Sequence, residues 1–229
     1  VGSEMCIRDS QKLRIRHQKP RIWHRKLRIV RIVKLVKGFL SDKEAKKLQE
    51  LFLNVHHLGA VLEIGTYCGK STLNFAHVAK KINGLVYTVD HHIGSEEHQL
   101  GEEYHDEDLY DERLGKFNTL PEFLRNLTSS KKGKFIIPIL EESKKAAETF
   151  SEKICLLFID GGHSKKAALE DYESWKGKIS PGGFLVIHDV FPNPADGGRP
   201  PFEIYTLAKE SSEFEDLGIY ETLGILKKN

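Results

Sequence analysis

The chain has 229 residues, 39% hydrophobic and 30% charged, with 35 Lys or Arg against 33 Asp or Glu and a formal net charge of +2. That length and composition suit one soluble α/β-sized domain with a real core and some extra segments. They exclude a bilayer span, since no stretch of about eighteen uncharged apolar residues occurs, and no secretory leader is recognisable. Three cysteines without paired spacing, Cys6, Cys68 and Cys155, exclude a disulfide framework and point to a reducing, cytoplasmic setting.

The first ten residues, VGSEMCIRDS, resemble translated adaptor sequence and are read as a non-native tail. Residues 11–40 form a basic arm with eleven Lys or Arg and no acid. Its second half, KLRIVRIVKLVKGFL, has the spacing of a basic amphipathic helix. Such a helix either packs its Ile/Val/Leu face on the domain or meets an anionic surface, lipid or nucleic acid. The main domain is expected over 41–229. Ser41 with Glu44 forms a capping box, and the helix it starts carries Ala45, Leu48, Leu51, Phe52 and Val55 on one face.

Thereafter strands and helices alternate. VLEIG (61–65), LVYTVD (85–90), FIIPIL (135–140), ICLLFID (154–160) and FLVIHDV (184–190) read as strands, separated by helices over 70–82, around 121–127, in ESKKAAETF, in KKAALEDYESWKGKI and, after the fifth strand, near 202–210. SPGG is expected to turn the chain into the fifth strand, and FEDLGIY and ETLGILK to close it as two more strands. The pattern means βαβ units, hence a mostly parallel sheet. Ligands of such sheets bind at the carboxyl ends of the strands, so Glu63, Asp90, Asp160 and Asp189 are the residues to read. The segment 91–112 carries nine acids and four histidines where a minimal fold has a short loop. Its position over those strand ends suits a lid over the substrate; its acids with His98 or His105 could hold a metal, and a solvated acidic loop is the favoured reading.

The turn EIGTYCGKS joins the first strand to its helix. Gly65 permits a tight turn, and Gly69 lets a ligand approach the backbone. Free N–H groups at the helix start, with Ser71 or Thr72, suit a carboxylate. Asp90 ends the second strand 21 residues beyond Gly69, the place from which an acid takes the hydroxyls of a ribose. Tyr67 and Lys70 stand where a dinucleotide pattern needs glycine, which disfavours a Rossmann oxidoreductase. Glu63, two residues before the first glycine, fits a ligand bearing an ammonium group better than a pyrophosphate. Cys68 reads as a small packing residue.

VLEIGTYCGKST resembles the first motif of class I S-adenosylmethionine-dependent methyltransferases, in a form close to that of catechol O-methyltransferases. VDHHIGSEEHQ, LLFIDGGHSKKAALEDYESW and PGGFLVIHDVFPNPADGGRPPFEIY resemble the bacterial Methyltransf_24-type group. The resemblance covers the chain from about Gly38 to its end. It implies a Rossmann-like, doubly wound, seven-stranded, mostly parallel sheet of order 3-2-1-4-5-7-6 with the last strand antiparallel. It also implies S-adenosylmethionine as cofactor. Glu63 would lie near its amino group, Gly65, Thr66, Tyr67 and Gly69 along it, Ser71 at its carboxylate, Asp90 and His91 at the ribose, Glu142 and Ser143 near the adenine, with Asp160 adjoining.

For the chemistry, Asp160 with His163 and His188 with Asp189 cap adjacent strands. By analogy with metal-dependent O-methyltransferases, Asp160, Asp189 and His188 would hold a divalent ion such as Mg²⁺. His163 is then the general base, with Asp160 and His188 beside it as catalytic groups. The departure is Val190, where the catechol enzymes have Asn after the second acid, and His188 before it. Arg199, in the loop after the fifth strand, could meet an anionic substrate or an acid of the lid.

The favoured activity is O-methylation of a small-molecule acceptor. A nucleic-acid methyltransferase using the basic arm is disfavoured by DGGH in place of an Asn/Asp-Pro-Pro-aromatic motif and by an arm whose basic residues are interleaved with no aromatic but Trp23. A non-catalytic S-adenosylmethionine-binding module is disfavoured by four chemical side chains at one rim. Peripheral membrane contact through the arm and a homo-oligomer are both compatible with the sequence.

Overall fold

The computed structural model describes residues 36–102 and 104–229. The tail, Cys6 and all but the last five residues of the basic arm, with most of its amphipathic stretch, lie outside them. Helix α1 (Asp42–Val55) begins with a complete capping box: Ser41 Oγ accepts from the Glu44 N–H at 3.2 Å, and Glu44 Oε2 accepts from the Ser41 N–H at 2.9 Å. Strand β1 (Ala60–Ile64), helix α2 (Lys70–Ile82) and strand β2 (Val86–Val89) follow. A short hairpin, β3 (Tyr110–Asp111) with β4 (Lys116–Phe117), then leads to α3 (Leu120–Ser130), which has Pro121 in its first turn. The rest alternates: β5 (Ile136–Ile139), α4 (Ser143–Thr149), β6 (Ile154–Ile159), α5 (Lys165–Trp175), β7 (Ile179–Ile187), α6 (Pro200–Glu210), β8 (Phe214–Tyr220) and β9 (Leu223–Lys228).

Seven strands form one sheet in the order β5-β2-β1-β6-β7-β9-β8. Counted among themselves this is 3-2-1-4-5-7-6, the order expected. The pairs β2/β5, β1/β2, β1/β6 and β6/β7 are parallel, and β9 runs antiparallel to both β7 and β8. Strand β6 lies in the centre, and all six of its residues are buried, as its unbroken apolar run requires. Its alternating side chains feed two cores. Leu156 and Phe158 join Leu48, Phe52 and Phe75 of α1 and α2, while Leu157 and Ile159 join Tyr172 and Trp175 of α5 and Tyr205 of α6. Each such fully buried side chain contributes about 1.5–3 kcal/mol relative to an exposed one. Cys68 and Cys155 are buried free thiols, each pushed up to about 12 by burial, so Cys68 is a packing residue as read.

Two expectations need correction. Ser180–Gly183 do not form a turn ahead of the fifth strand; they belong to β7, which starts at Ile179. The irregularity of Pro181 and of Gly182 at φ 80° is absorbed as a register shift against β6 between Ile154 and Leu156, so the strand bulges where a turn was expected to precede it. Residues 91–112 are also more structured than a solvated loop. Two 3-10 turns (Glu96–His98 and Glu107–Leu109) and strand β3 lie within them, and Phe117 of β4 is buried among Tyr67, His98 and His105. Among the described residues no helix is long and apolar enough to cross a membrane.

Candidate active site

The parallel ladder sets the four polar strand ends at one level. Asp90 N–H donates to the Ile139 carbonyl, Gly65 to Val89, Asp160 to Ile64 and His188 to Ile159, all at 2.9–3.1 Å. The ends of β2, β1, β6 and β7 are neighbours, so Asp90, the glycine turn, Asp160 and His188 line one edge of the sheet in that order.

At the turn, Gly65 has φ 88°, and a Cβ there would sit 1.9 Å from the Asp160 carbonyl oxygen. Only glycine lets β1 and β6 leave the sheet this close together. Gly69 opens α2, also at φ 88°, against the ring of Phe123. Asp90 organises the turn from the next strand: its Oδ2 accepts the N–H groups of Thr66 and Tyr67, both at 2.9 Å, and its Oδ1 accepts that of His92 at 2.6 Å. The carboxyl keeps 15% of its surface exposed, with His91 Nδ1 3.9 Å away.

Glu63 lies beneath the turn with no exposed surface. Its Oε2 accepts from the hydroxyls of Thr72 and Thr88, and Thr66 Oγ1 bonds Thr88 Oγ1. Its Oε1 is buried without a hydrogen-bond partner. Burial raises its pKa to about 7, assisted by the charge of Asp160 and opposed by the nearby hydroxyls of Ser71, Thr72 and Thr88. An unpartnered buried carboxylate oxygen is costly, and it fits a cationic group delivered at this turn. Beyond β2, Glu142 is exposed and pairs with Lys145 at 2.9 Å, whereas the Ser143 hydroxyl accepts from Trp175 Nε1 at 2.9 Å.

The ends of β6 and β7 are compact. Asp160 Oδ1 lies 2.9 Å and Asp189 Oδ2 3.2 Å from His188 Nδ1, and Asp189 Oδ2 also lies 3.3 Å from His163 Nε2. Asp189 is held at φ 55°, a left-handed conformation that turns its carboxylate back toward the histidines. One ligand atom each from Asp160, His188 and Asp189 lies within 4.8 Å of the others. His188 is almost wholly buried, yet neither ring nitrogen makes a well-directed hydrogen bond. Two carboxylates close to an imidazole nitrogen but off its N–H line are a donor set that a divalent cation fits.

The charges of the rim are strongly coupled. Burial lowers the His188 pKa, but Asp160, Asp189 and Glu44 outweigh it and hold the ring well above its usual range. Burial likewise lowers His163, and Asp189, Glu97 and Asp160 raise it overall. Asp189 is displaced the other way: burial raises it, and the two histidines pull it far down.

Several residues here went unread in the sequence. Glu44, seen only as a capping acid, is buried with its Oε2 3.6 Å from His188 Nε2. Glu97, seen as one acid of the lid, has Oε1 3.6 Å from His163 Nδ1. His92 is buried between Asp90, Thr119 and the ring of Phe123. Asp106 and Asp108 pair with Lys37, whose segment is tied to α2 through the Gly38 carbonyl and Lys70 Nζ. Arg199 donates to the carbonyls of Phe191 and Pro192 instead of to an acid of the lid. An open cavity of about 510 Å³ lies between Phe39, Tyr67, Tyr104 and the acids 106–108. None of the rim residues Asp160, His163, His188 or Asp189 lines it.

A doubly wound sheet of this order, with its glycine turn and polar strand ends on one edge, is the architecture of the Rossmann-like S-adenosylmethionine-dependent methyltransferases. The chain belongs to the methyltransferase domain family Methyltransf_24, whose profile matches residues 62–190. Its structure is similar to that of the O-methyltransferase NovP (TM-score 0.62, 13% identity, 82% of this chain and 78% of that one). It is similar also to an O-methyltransferase from Bacillus cereus in complex with S-adenosylhomocysteine (TM-score 0.58, 16% identity, 94% of both chains). The calicheamicin methyltransferase CalS11 is a third (TM-score 0.59, 13% identity, 97% of this chain and 99% of that one).

Proposed function

We propose that the chain O-methylates a small-molecule acceptor at the rim formed by Asp160, His163, His188 and Asp189, with a divalent cation held by Asp160, His188 and Asp189. The observation that carries this is the convergence of two carboxylates and two imidazoles, within hydrogen-bond range of one another, on strands adjoining the glycine turn. Mg²⁺ suits the carboxylates, and the imidazole nitrogen extends the set to Mn²⁺.

When bound, S-adenosylmethionine supplies a methyl group already activated by its sulfonium. Gly65, Thr66, Tyr67 and Gly69 would line it, Glu63 Oε1 would take its ammonium and Ser71 its carboxylate. Asp90 and His91 would border its ribose, with Glu142 and Ser143 behind them at the adenine. The cation would supply Lewis acidity that makes an acceptor hydroxyl easier to deprotonate. His163 then removes that proton through Nε2, with Glu97 steadying the ring from the Nδ1 side. Asp189 Oδ2, 3.3 Å from His163 Nε2 and 3.2 Å from His188 Nδ1, ties both rings to one carboxylate. NovP, the Bacillus cereus protein and CalS11 support the reaction class by likeness.

Calorimetry with S-adenosylhomocysteine, Mg²⁺ and Mn²⁺ tests the reading. S-adenosylhomocysteine is expected to bind without metal. Mg²⁺ or Mn²⁺ is expected to bind the wild type and to be lost in Asp160→Ala, with cofactor affinity changed less than twofold. Metal binding that survives Asp160→Ala, or none in the wild type, would remove the cation from the account.

Glu63 gives a second expected result. With a pKa of about 7, it is largely protonated at pH 6, and an incoming ammonium must displace that proton. Its pKa falls on binding, so affinity rises with pH up to about 7 and then levels, by up to about tenfold per pH unit below 7. Titrations of S-adenosylhomocysteine from pH 5.5 to 7.5 should show this slope in the wild type and a flat profile in Glu63→Gln. An equal slope in both would mean that Glu63 does not meet the ammonium.

A further inference from the structure

Glutamate is rarely buried unless it is paired, and an acid that only completes a capping box normally sits in solvent at the start of its helix. Glu44 does complete the box at the start of α1, yet it is only 3% exposed. Its carboxylate is gripped from three sides. Oε2 accepts from the Ser41 N–H at 2.9 Å, and Oε1 accepts from the Thr222 N–H at 3.2 Å and from Thr222 Oγ1 at 2.7 Å. Thr222 lies between β8 and β9, and its carbonyl accepts from Val190 N–H just beyond β7. The remaining direction of Oε2 faces His188 Nε2 at 3.6 Å. The opposite nitrogen of the same ring, Nδ1, faces Asp160 and Asp189.

From this geometry, and resting on the metal reading above, we propose that Glu44 is the positioning residue of the cation site: it fixes His188 as the Nε2–H tautomer and so presents the Nδ1 lone pair to the metal. A histidine that ligates a cation gives up the extra proton that the surrounding carboxylates favour, leaving one proton for two nitrogens. With the proton on Nδ1, the Nε2 lone pair would face a carboxylate that can only accept. With the proton on Nε2, it points at Glu44 and Nδ1 is left free as a ligand atom. Ligand histidines are commonly oriented by a carboxylate on the other ring nitrogen, and removing such a partner costs about 10–100-fold in metal affinity. A glutamine cannot substitute here. Thr222 N–H needs an oxygen at one end of the amide, which leaves the NH₂ facing Ser41 N–H and His188 Nε2 and favours the wrong tautomer.

The test is Mn²⁺ binding followed by electron paramagnetic resonance on the full chain, with S-adenosylhomocysteine affinity and thermal melting measured in parallel. Glu44→Gln should weaken Mn²⁺ binding tenfold or more and leave S-adenosylhomocysteine affinity within twofold. Thr222→Val, which removes another partner of the same carboxylate, should leave Mn²⁺ affinity within twofold. Equal Mn²⁺ affinity in Glu44→Gln and wild type overturns the proposal and leaves the metal reading standing. Loss of Mn²⁺ in Thr222→Val as large as in Glu44→Gln reduces Glu44 to a structural role and also overturns it. No Mn²⁺ binding by the wild type overturns both. If Glu44→Gln fails to fold, long-range ¹⁵N–¹H spectra of the unaltered protein with Mg²⁺ decide: a proton on His188 Nε2 supports the proposal, and one on Nδ1 overturns it.

Discussion

Replacing Gly65 by alanine is expected to cost about 3 kcal/mol or more of folding stability, a fall in Tm of roughly 6–12 °C for a chain of this size. Two costs add. A non-glycine residue at φ 88° pays about 1–2 kcal/mol for its left-handed backbone. The new Cβ would also fall 1.9 Å from the Asp160 carbonyl oxygen and 2.5 Å from its carbon, and overpacking of this kind costs about 1–3 kcal/mol even where side chains, unlike backbone, can yield. Gly218 separates the two costs. It has the same φ of 88°, but no other group comes within 4 Å of where its Cβ would stand, so Gly218→Ala should lose only the conformational part, about 1–2 kcal/mol. S-adenosylhomocysteine affinity should collapse in Gly65→Ala and persist in Gly218→Ala, because only the first pries apart β1 and β6 at the turn proposed to hold the cofactor. Thermal melts and titrations of the two variants give the answer. Equal losses in both would mean that the close approach to Asp160 is not what requires glycine.

The edge of the sheet was legible because its signals are local. A glycine turn directly after an apolar strand, and polar residues ending three others, are patterns within a few residues of one another, and the unbroken apolar run of β6 announces a central strand. Long-range consequences were not legible. Glu44 and Thr222 are 178 residues apart; a capping signature at Ser41 fully accounts for a glutamate at that position, so nothing in the sequence asks for a second partner. Asp90 was readable as an acid at a strand end, but not as the acceptor of the turn's own N–H groups, since backbone donors carry no sequence mark. Glu97 was one acid among nine in its segment, and only the folded path of the 3-10 turn brings it to His163. The bulged start of β7 was hidden for the opposite reason: Ser-Pro-Gly-Gly is strong turn chemistry, overridden because Ser180 Oγ donates to the Leu58 carbonyl at 3.0 Å and Gly183 packs its bare Cα against the Cys155 carbonyl.

The largest catalytic effect is expected at His163. If this ring removes the acceptor's proton, His163→Gln should lower kcat by roughly 10²–10⁴-fold, the span that a positioned general base contributes. S-adenosylhomocysteine affinity should stay within twofold, because His163 touches Asp189 and Glu97 and no part of the glycine turn. Glu97→Gln provides the graded comparison. It removes the charge near Nδ1 but leaves Nε2 and Asp189 in place, so its loss should be distinctly smaller. Production of S-adenosylhomocysteine can be followed with any phenol or sugar from a hydroxyl-bearing panel that the wild type methylates. A His163→Gln enzyme within tenfold of wild-type kcat would show that the proton leaves by another route, and the four-residue rim would then hold a cation without supplying a base. A fall in cofactor affinity matching the fall in kcat would instead place His163 against the donor, and merge the two ends of the site that the geometry keeps apart.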